Sequence, residues 1–290
     1  MVPVASSPVE TLFALEPTTA DRPPASTRLR LLVAYHGGGF HGIALQSRHR
    51  TVGGVLLAAV TTVLQLETRP TLVVAGRTDT GVHGWGQVLH LDVVLRKRLD
   101  LVKFKRSLNQ MLSPEVVVRI VEVAPEGFHA RYSATHRRYR YEVVNRPELD
   151  PFRVGLAWHV ATPLDLTVMT LACDPLLGTH DFSSFCRVPK GEPNASMIRS
   201  LTESKWIALG DGLLRFEIEA SSFCQQMVRS IVGLMIEVGM GKRTAGEVLD
   251  MLRSKDRSTG SPLAPAAGLY LWEVGYPDGF GMAQPHAADR

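Results

Sequence analysis

Apolar and polar positions alternate from Thr27 to Tyr35. Leu29, Leu31, Val33 and Tyr35 share one face and Arg28 and Arg30 begin the other, which predicts a strand. His36 and three consecutive glycines then force a turn. After Thr51 the period changes: Val52, Leu56, Ala59, Val60 and Val63 recur at helical spacing, with Thr51 as the N-cap. Ser107-Leu108-Asn109 and Ser113-Pro114 are expected to punctuate the chain before a strand from Val116 to Val123. The second half repeats this architecture loosely, with a helix over 164–177 and strands over 201–206 and 213–220. Phe223, Met227, Ile231, Leu234, Met235 and Val238 then mark an amphipathic helix, followed by a helix over 244–252 and a closing strand over 267–271. Two strand–helix halves of similar size predict an α+β (mixed α/β) fold. It would comprise two pseudo-twofold-related domains, with largely antiparallel sheets flanked by helices and a central cleft. The expected boundaries are 28–135 and 136–277, with a disordered tail at 1–27, rich in Pro, Ser and Thr, and a second tail at 278–290.

The stretch that breaks this regular pattern runs from Val73 to Leu91. It starts apolar, opens at Gly76, and sets Arg77, Thr78, Asp79 and His83 among Gly76, Gly81, Gly84 and Gly86. Four glycines so close together allow a tight turn and the near approach of another molecule. A carboxylate, a guanidinium and an imidazole on such a loop, held by flanking strands, mark a candidate reaction centre. A surface hairpin with Arg77 and Asp79 as an exposed ion pair would carry the same letters.

Composition narrows the class. The chain has 290 residues, 45% hydrophobic and 21% charged, in the range of a globular protein with a substantial core. No apolar run is long enough to span a bilayer, and the first residues lack the basic start and apolar core of a signal peptide. The three cysteines, Cys173, Cys186 and Cys224, are odd in number and widely spaced. They predict no disulfide framework and no zinc site, and fit a reducing cytoplasm. A net charge of +4 permits nucleic-acid binding without demanding it, so local clusters matter more.

Several clusters exist. Arg96-Lys97-Arg98 with Lys103, Lys105 and Arg106 is densely basic, and so is the loop 187–190. In the run from Phe128 to Tyr141, arginines interleave with aromatic residues, a pattern suited to base stacking beside phosphate contact. Read as a strand, its end places Tyr139 and Tyr141 on one face and Arg138 and Arg140 on the other. Arg229 falls off the apolar stripe of its helix, beside Ser222, Gln225, Gly233 and Ile236. The small Ser222 and Gly233 would admit another backbone there, and Ile236 implies that this face is covered.

These segments resemble, in order, the motifs of the tRNA pseudouridine synthase A family. AGRTDTGVHGWGQVLHLD resembles its central AGRTDxGVHAxGQVxHF, and FHARYSATHRRYRYEV resembles FHARFSAxxRxYxYxI. GTHDFSSF and FCQQMVRSIVG resemble GxHDFxxF and FxxxMVRxIVG. AGLYL resembles EGLYL, with Ala267 in place of Glu. The loop at 35–46 departs from the family's YDGxxFxGWQxQ, with His36, Ile43 and Ala44 in place of Asp, Trp and Gln. The resemblance implies an enzyme that isomerises uridine to pseudouridine at tRNA positions 38, 39 and 40 in the anticodon stem-loop. It implies neither metal nor organic cofactor, and a homodimer whose tRNA touches both subunits.

Carried over by motif, Asp79 is the catalytic carboxylate and Arg229 reaches it. Arg77 fills the space left by the flipped base, and Tyr139 and Leu269 sandwich the uracil. The RNA-facing residues would be Arg96 and Lys97, the run Phe128, His129, Ala130, Arg131 and Tyr132, and the run Phe185, Cys186, Arg187, Val188 and Pro189. Arg138 would also face a phosphate. His83 is expected to buttress the loop by hydrogen bonds.

Two other readings fit some of the letters. Asp79-Thr80-Gly81 is the DTG of aspartic proteases, but that chemistry needs two carboxylates sharing a proton, and Arg77 would favour full ionisation. A non-catalytic RNA-binding protein of the same fold would explain the altered loop at 36–44. It would not explain Asp79, Arg77, Tyr139 and Arg229 together.

Overall fold

The computed structural model describes residues 26–95, 97–188, 191 and 194–282. The expectations for Arg96, Pro189, Lys190 and the segments 1–25 and 283–290 lie outside the described residues. The strands are β1 (Thr27–Tyr35), β2 (Leu72–Val74), β3 (His83–Val93), β4 (Val116–Val123), β5 (His136–Val144), β6 (Trp158–His159), β7 (Gly178–Asp181), β8 (Ile198–Gly210), β9 (Leu213–Ala220) and β10 (Leu269–Gly275). The helices are α1 (Val52–Leu64), α2 (Leu101–Leu112), α3 (Leu166–Leu171), α4 (Met227–Gly239) and α5 (Glu247–Ser254).

All ten strands join one sheet in the order β4-β1-β3-β10-β5-β9-β8-β7, with β2 on β3 and β6 on β5. Pairing is antiparallel except for β10 with β3 and β6 with β5. The last strand of the chain therefore lies at the centre of the sheet, hydrogen-bonded to the N-terminal strands on one side and to β5 on the other. This is the expected mixed α/β fold, with a mostly antiparallel sheet and flanking helices.

Two apolar clusters support the sheet, the larger drawing on both halves of the chain. Leu29, Leu31 and Val33 of β1 meet Leu56 and Val60 of α1 and Phe104 and Leu108 of α2. Tyr141, Phe216 and Ile218 meet Ile231, Leu234 and Met235 of α4. The helix starts follow the side chains: Thr51 accepts from Gly54 N at 3.1 Å, and Asp100 caps α2 through Val102 N and Lys103 N. No helix among the described residues is long and apolar enough to cross a membrane.

Four local expectations are corrected. Residues 107–109 do not interrupt α2, because Asn109 spends its amide on β4, bonding Val118 O at 2.9 Å and accepting from Val118 N at 2.7 Å. The helix expected over 164–177 stops at Leu171, and a 3-10 turn with Pro175 follows. Helix α4 starts only at Met227, since Gln226 takes a left-handed backbone (φ 66°) and leaves Phe223 in the lead-in. The cysteines do pair: Cys186 and Cys224 form a disulfide, with Cα atoms 5.7 Å apart. The fold lays the turn at 183–186 against the 221–226 lead-in, where Arg187 N donates to Gln225 O, so distance along the chain misled.

Candidate active site

The loop carrying Asp79 is pinned from three sides. At its base, Ala75 N donates to Val88 O at 2.8 Å and Gln87 Nε2 donates to Gly76 O at 2.7 Å. At its centre, the buried Tyr35 hydroxyl bonds Thr78 Oγ1 at 2.8 Å, and Ile43 N donates to Thr78 O. At its end, Val82 N donates to Asp79 O and Gly81 N to Phe40 O, with Gly81 at φ 81°. A positive φ there suits glycine and lets the chain reverse directly after Asp79. The altered 36–46 loop thus supports the Asp79 loop from below, even where its letters depart from the family pattern.

His83 acts as the expected buttress. Gly37 N donates to its Nδ1 at 3.0 Å, so Nε2 carries the proton and donates to Ala267 O (3.0 Å) and Gly155 O (3.1 Å). One imidazole ties the loop at 37 to the segment entering β10. Burial and the neighbouring His36 push its pKa down to about 4, so it is neutral at pH 7. His90 works in the same way at the next turn. Its Nδ1 accepts from Ala130 N at 3.0 Å, and burial pushes its pKa down to about 3.

Asp79 opens into a cleft of about 940 Å³ between the two halves. Among the described lining residues it is the one carboxylate, facing Arg77, Arg131, Arg137, Arg199 and Arg229. Tyr139 and Leu269 line the same cleft and are 7% and 6% exposed. Phe223 stands edge-on to the Tyr139 ring, with centroids 5.0 Å apart. Burial holds the Tyr139 phenol protonated, well above the usual range. The candidate site therefore offers an apolar, aromatic recess for a flat ring, one carboxylate, and an excess of positive charge at its walls.

Arg229 joins this cleft on the covered helix face expected of it. Its Nε donates to Ala264 O at 2.7 Å, and Gly233, one turn on, lies against Pro262 O with no room for a side chain. Burial lowers the pKa of its guanidinium while the charge of Asp79 opposes that shift. Among the described residues the two form no ion pair: Arg229 shares the cleft with Asp79 without closing on it.

The turn at 128–134 is bonded throughout. Phe128 O accepts from Arg28, Ala130 O from the Tyr276 hydroxyl, and Arg131 O from Arg137. His129 Nδ1 accepts from the amides of Arg131 and Tyr132, and Ser133 Oγ accepts from His129 N. A turn fixed in this way presents Arg131 and Tyr132 outward, Tyr132 stacked on His129 at 4.4 Å and 60% exposed. A contact role does not fit Phe128, Ala130, Phe185 and Cys186, whose side chains are buried and form the footing of their loops. Arg187 and Val188 are exposed.

Lys97 does not share the cleft. With Arg98, Arg69 and His129 it lines a second groove of about 1570 Å³ beside α2 and the end of β3. Arg138 is also misplaced by the sequence reading: it pairs with Glu219 at 2.7 Å and Glu203 at 3.4 Å on the sheet face opposite Tyr139. Two cleft residues were missed, Arg137 and Arg199. Arg137 stood in the quoted motif two positions before Tyr139, a same-face spacing in a strand that could have found it. Arg199, at the start of β8, lay in no motif read from the sequence. Among the described residues, no group of three or more His, Cys, Asp or Glu is placed to hold a metal ion.

Residues 172–277 match a family model described as tRNA pseudouridine synthase. Over 270 residues the chain is 40% identical to the tRNA pseudouridine synthase A of Leifsonia xyli subsp. xyli, covering 87% of this chain and 92% of that protein. It is 38% identical over 249 residues to the Bacillus subtilis protein of the same name, covering 86% and 99% of the two chains. The Geobacillus kaustophilus protein of that name is 39% identical over 252 residues, covering 87% and 95%.

Proposed function

Since the chain belongs to the tRNA pseudouridine synthase family, we propose that it isomerises uridine to pseudouridine in tRNA, at positions 38, 39 and 40 of the anticodon stem-loop. The observation that carries this reading is the carboxylate of Asp79, the one such group among the described residues of an arginine-lined cleft, beside the buried Tyr139 and Leu269. The reaction breaks the C1′–N1 bond of the nucleotide, turns the uracil and rejoins it through C5, which gives up its proton while N1 takes one up. Atoms and electrons balance within the substrate, so one carboxylate acting as nucleophile or base is sufficient chemistry.

The target base leaves its stack at a cost of a few kcal/mol. The exposed Arg77, two residues before Asp79, takes the vacated position with its planar guanidinium. Tyr139 and Leu269 hold the uracil, and Arg229 draws toward Asp79 once the cleft is filled. Arg131, Tyr132, Arg187 and Arg199 follow the RNA at the cleft, and Lys97 and Arg98 follow it along the second groove. The 128–132 turn lies between these two grooves, with Arg131 lining one and His129 the other. The protein would work in the cytoplasm, as a homodimer with each tRNA touching both subunits. Light scattering of the free protein and of its tRNA complex tests that arrangement.

The deciding experiment incubates the protein with unmodified tRNA, without added cofactor or metal, and maps pseudouridine by position. Product at 38–40 is the expected result. Binding without product would favour a non-catalytic RNA-binding protein.

A further inference from the structure

Arg137 is the first core-facing residue of β5, and it is 8% exposed. Its guanidinium makes four hydrogen bonds, all to main-chain carbonyls. Nη1 donates to Ala134 O at 3.1 Å and Ser221 O at 2.8 Å, and Nη2 donates to Ala75 O at 3.0 Å and Arg131 O at 2.7 Å. Among the described residues it has no carboxylate partner, and burial lowers its pKa. A buried charge held only by carbonyl dipoles is a costly way to join strands, so what it joins bears on its role.

The four carbonyls belong to three segments far apart in sequence. Ala75 is the base of the Asp79 loop, four residues before the carboxylate. Arg131 and Ala134 belong to the turn that presents Arg131 and Tyr132. Ser221 directly follows β9 and begins the lead-in through Phe223 to α4 and Arg229. Arg137 itself lines the cleft, two residues before Tyr139 on the same face of β5.

We infer that Arg137 is a positioning residue for the reaction: its planar fork sets the Asp79 loop at a fixed separation from the RNA-facing turn and from the segment bearing Arg229. Only a guanidinium fits this task, because four acceptors from three directions need a rigid planar array of donors. A lysine ammonium has three donors at one point and cannot span them. The inference rests on Asp79 being the reacting carboxylate. It goes further in locating the control of that carboxylate's placement in a side chain that need not touch the substrate.

The test measures single-turnover rate at saturating tRNA, tRNA affinity and thermal unfolding for Arg137→Lys and Arg137→Gln, beside Asp79→Asn. Misplacement of a reacting group by about 1 Å can cost on the order of 100-fold in rate, and a loss of that size is expected for Arg137→Lys. Its affinity for tRNA should stay within about threefold, since the charge and the outer contacts remain. Added guanidinium ion should restore part of the rate to Arg137→Gln, while equal sodium chloride should not.

A native rate per folded molecule in Arg137→Lys would overturn the inference, as would a loss confined to tRNA affinity. Failure of both variants to fold would also overturn it, by making Arg137 a purely structural tie. Asp79→Asn separates this from the wider reading. Turnover by that variant removes the premise. An inactive Asp79→Asn with a fully active Arg137→Lys removes only this inference.

Discussion

The two faces of β5 carry arginines in opposite circumstances. Toward the cleft, and among the described residues, Arg137 bonds carbonyls alone, and the same cleft is lined by Arg77, Arg131, Arg199 and Arg229 against one carboxylate. On the other face, Arg138 meets Glu219 and Glu203, and Arg140 meets Glu217 at 2.8 Å while lying 3.7 Å over the Trp272 ring. A basic residue is available to a polyanion only if the neighbouring strands leave its charge uncompensated. Strands β8 and β9 supply acids to one face and a hydrophobic wall to the other, and that decides which arginines are free.

The sharpest way to break this contrast is to remove one carboxylate from each face. Asp79→Asn should abolish pseudouridine formation, a loss of at least about 1,000-fold, because the amide can act neither as nucleophile nor as base. Glu219→Gln should leave turnover within a few-fold of the parent. Both are read by pseudouridine yield on unmodified tRNA. Comparable losses from the two would mean that the opposite face takes part in the chemistry.

Acid should separate the regions next. The folded pKa of His83, about 4, lies below the ordinary 6.5, so its contribution is complete above pH 6.5 and is lost as pH falls from 6.5 toward 4. That shift corresponds to roughly 3 kcal/mol. His90 acts in the same direction over a window that extends to about 3. Glu219, which burial would raise but bonds from Arg138 and Thr202 hold below its usual value, keeps its contribution until pH falls into the ordinary carboxylate range, where it begins to be lost. Between pH 6.5 and 4.5 the histidine clamps should therefore supply most of the slope of stability. Urea midpoints measured across that interval should fall with acid, and His83→Gln should flatten the fall. An unchanged slope in that variant would sever His83 from it.

Much of this organisation was legible in the letters. The alternation at 27–35 predicted a strand, and that at 138–141 the sharing of a face by Tyr139 and Tyr141, because a half-buried strand writes its two sides at a period of two. The small residues beside Arg229 correctly foretold the close backbone, now seen at Pro262. What was hidden is what depends on partners distant in sequence. Arg138 looked free because Glu203 and Glu219 are on other strands. Cys186 and Cys224 looked unrelated because 38 residues separate them. Asn109 looked like a helix breaker because the strand that satisfies it had not yet been placed beside it.

Arg77 offers a smaller and more selective effect on the cleft side. Arg77→Ala should lower activity about tenfold or more on a uridine paired within the stem, where extrusion costs a few kcal/mol. A mismatched target uridine, already partly unstacked, should lose less. Equal losses on the two substrates would replace the flipping role with a role in tuning Asp79.

The smallest effect tests the contrast between faces directly, through salt. Each arginine that neutralises a phosphate releases counterions, so its removal should lower the log–log salt slope of tRNA affinity by roughly 0.7 to 0.9. Arg131→Ala and Arg199→Ala, both at the cleft, should each show that decrement. Arg138→Ala should not, because Glu219 and Glu203 already compensate its charge. Affinity for Arg138→Ala can drift slightly through the two glutamates left unpaired, but a drift of that origin changes the intercept and not the number of ions released. A decrement near 0.7 to 0.9 for Arg138→Ala, equal to that of Arg131→Ala, would mean that RNA displaces the glutamates and reaches the opposite face.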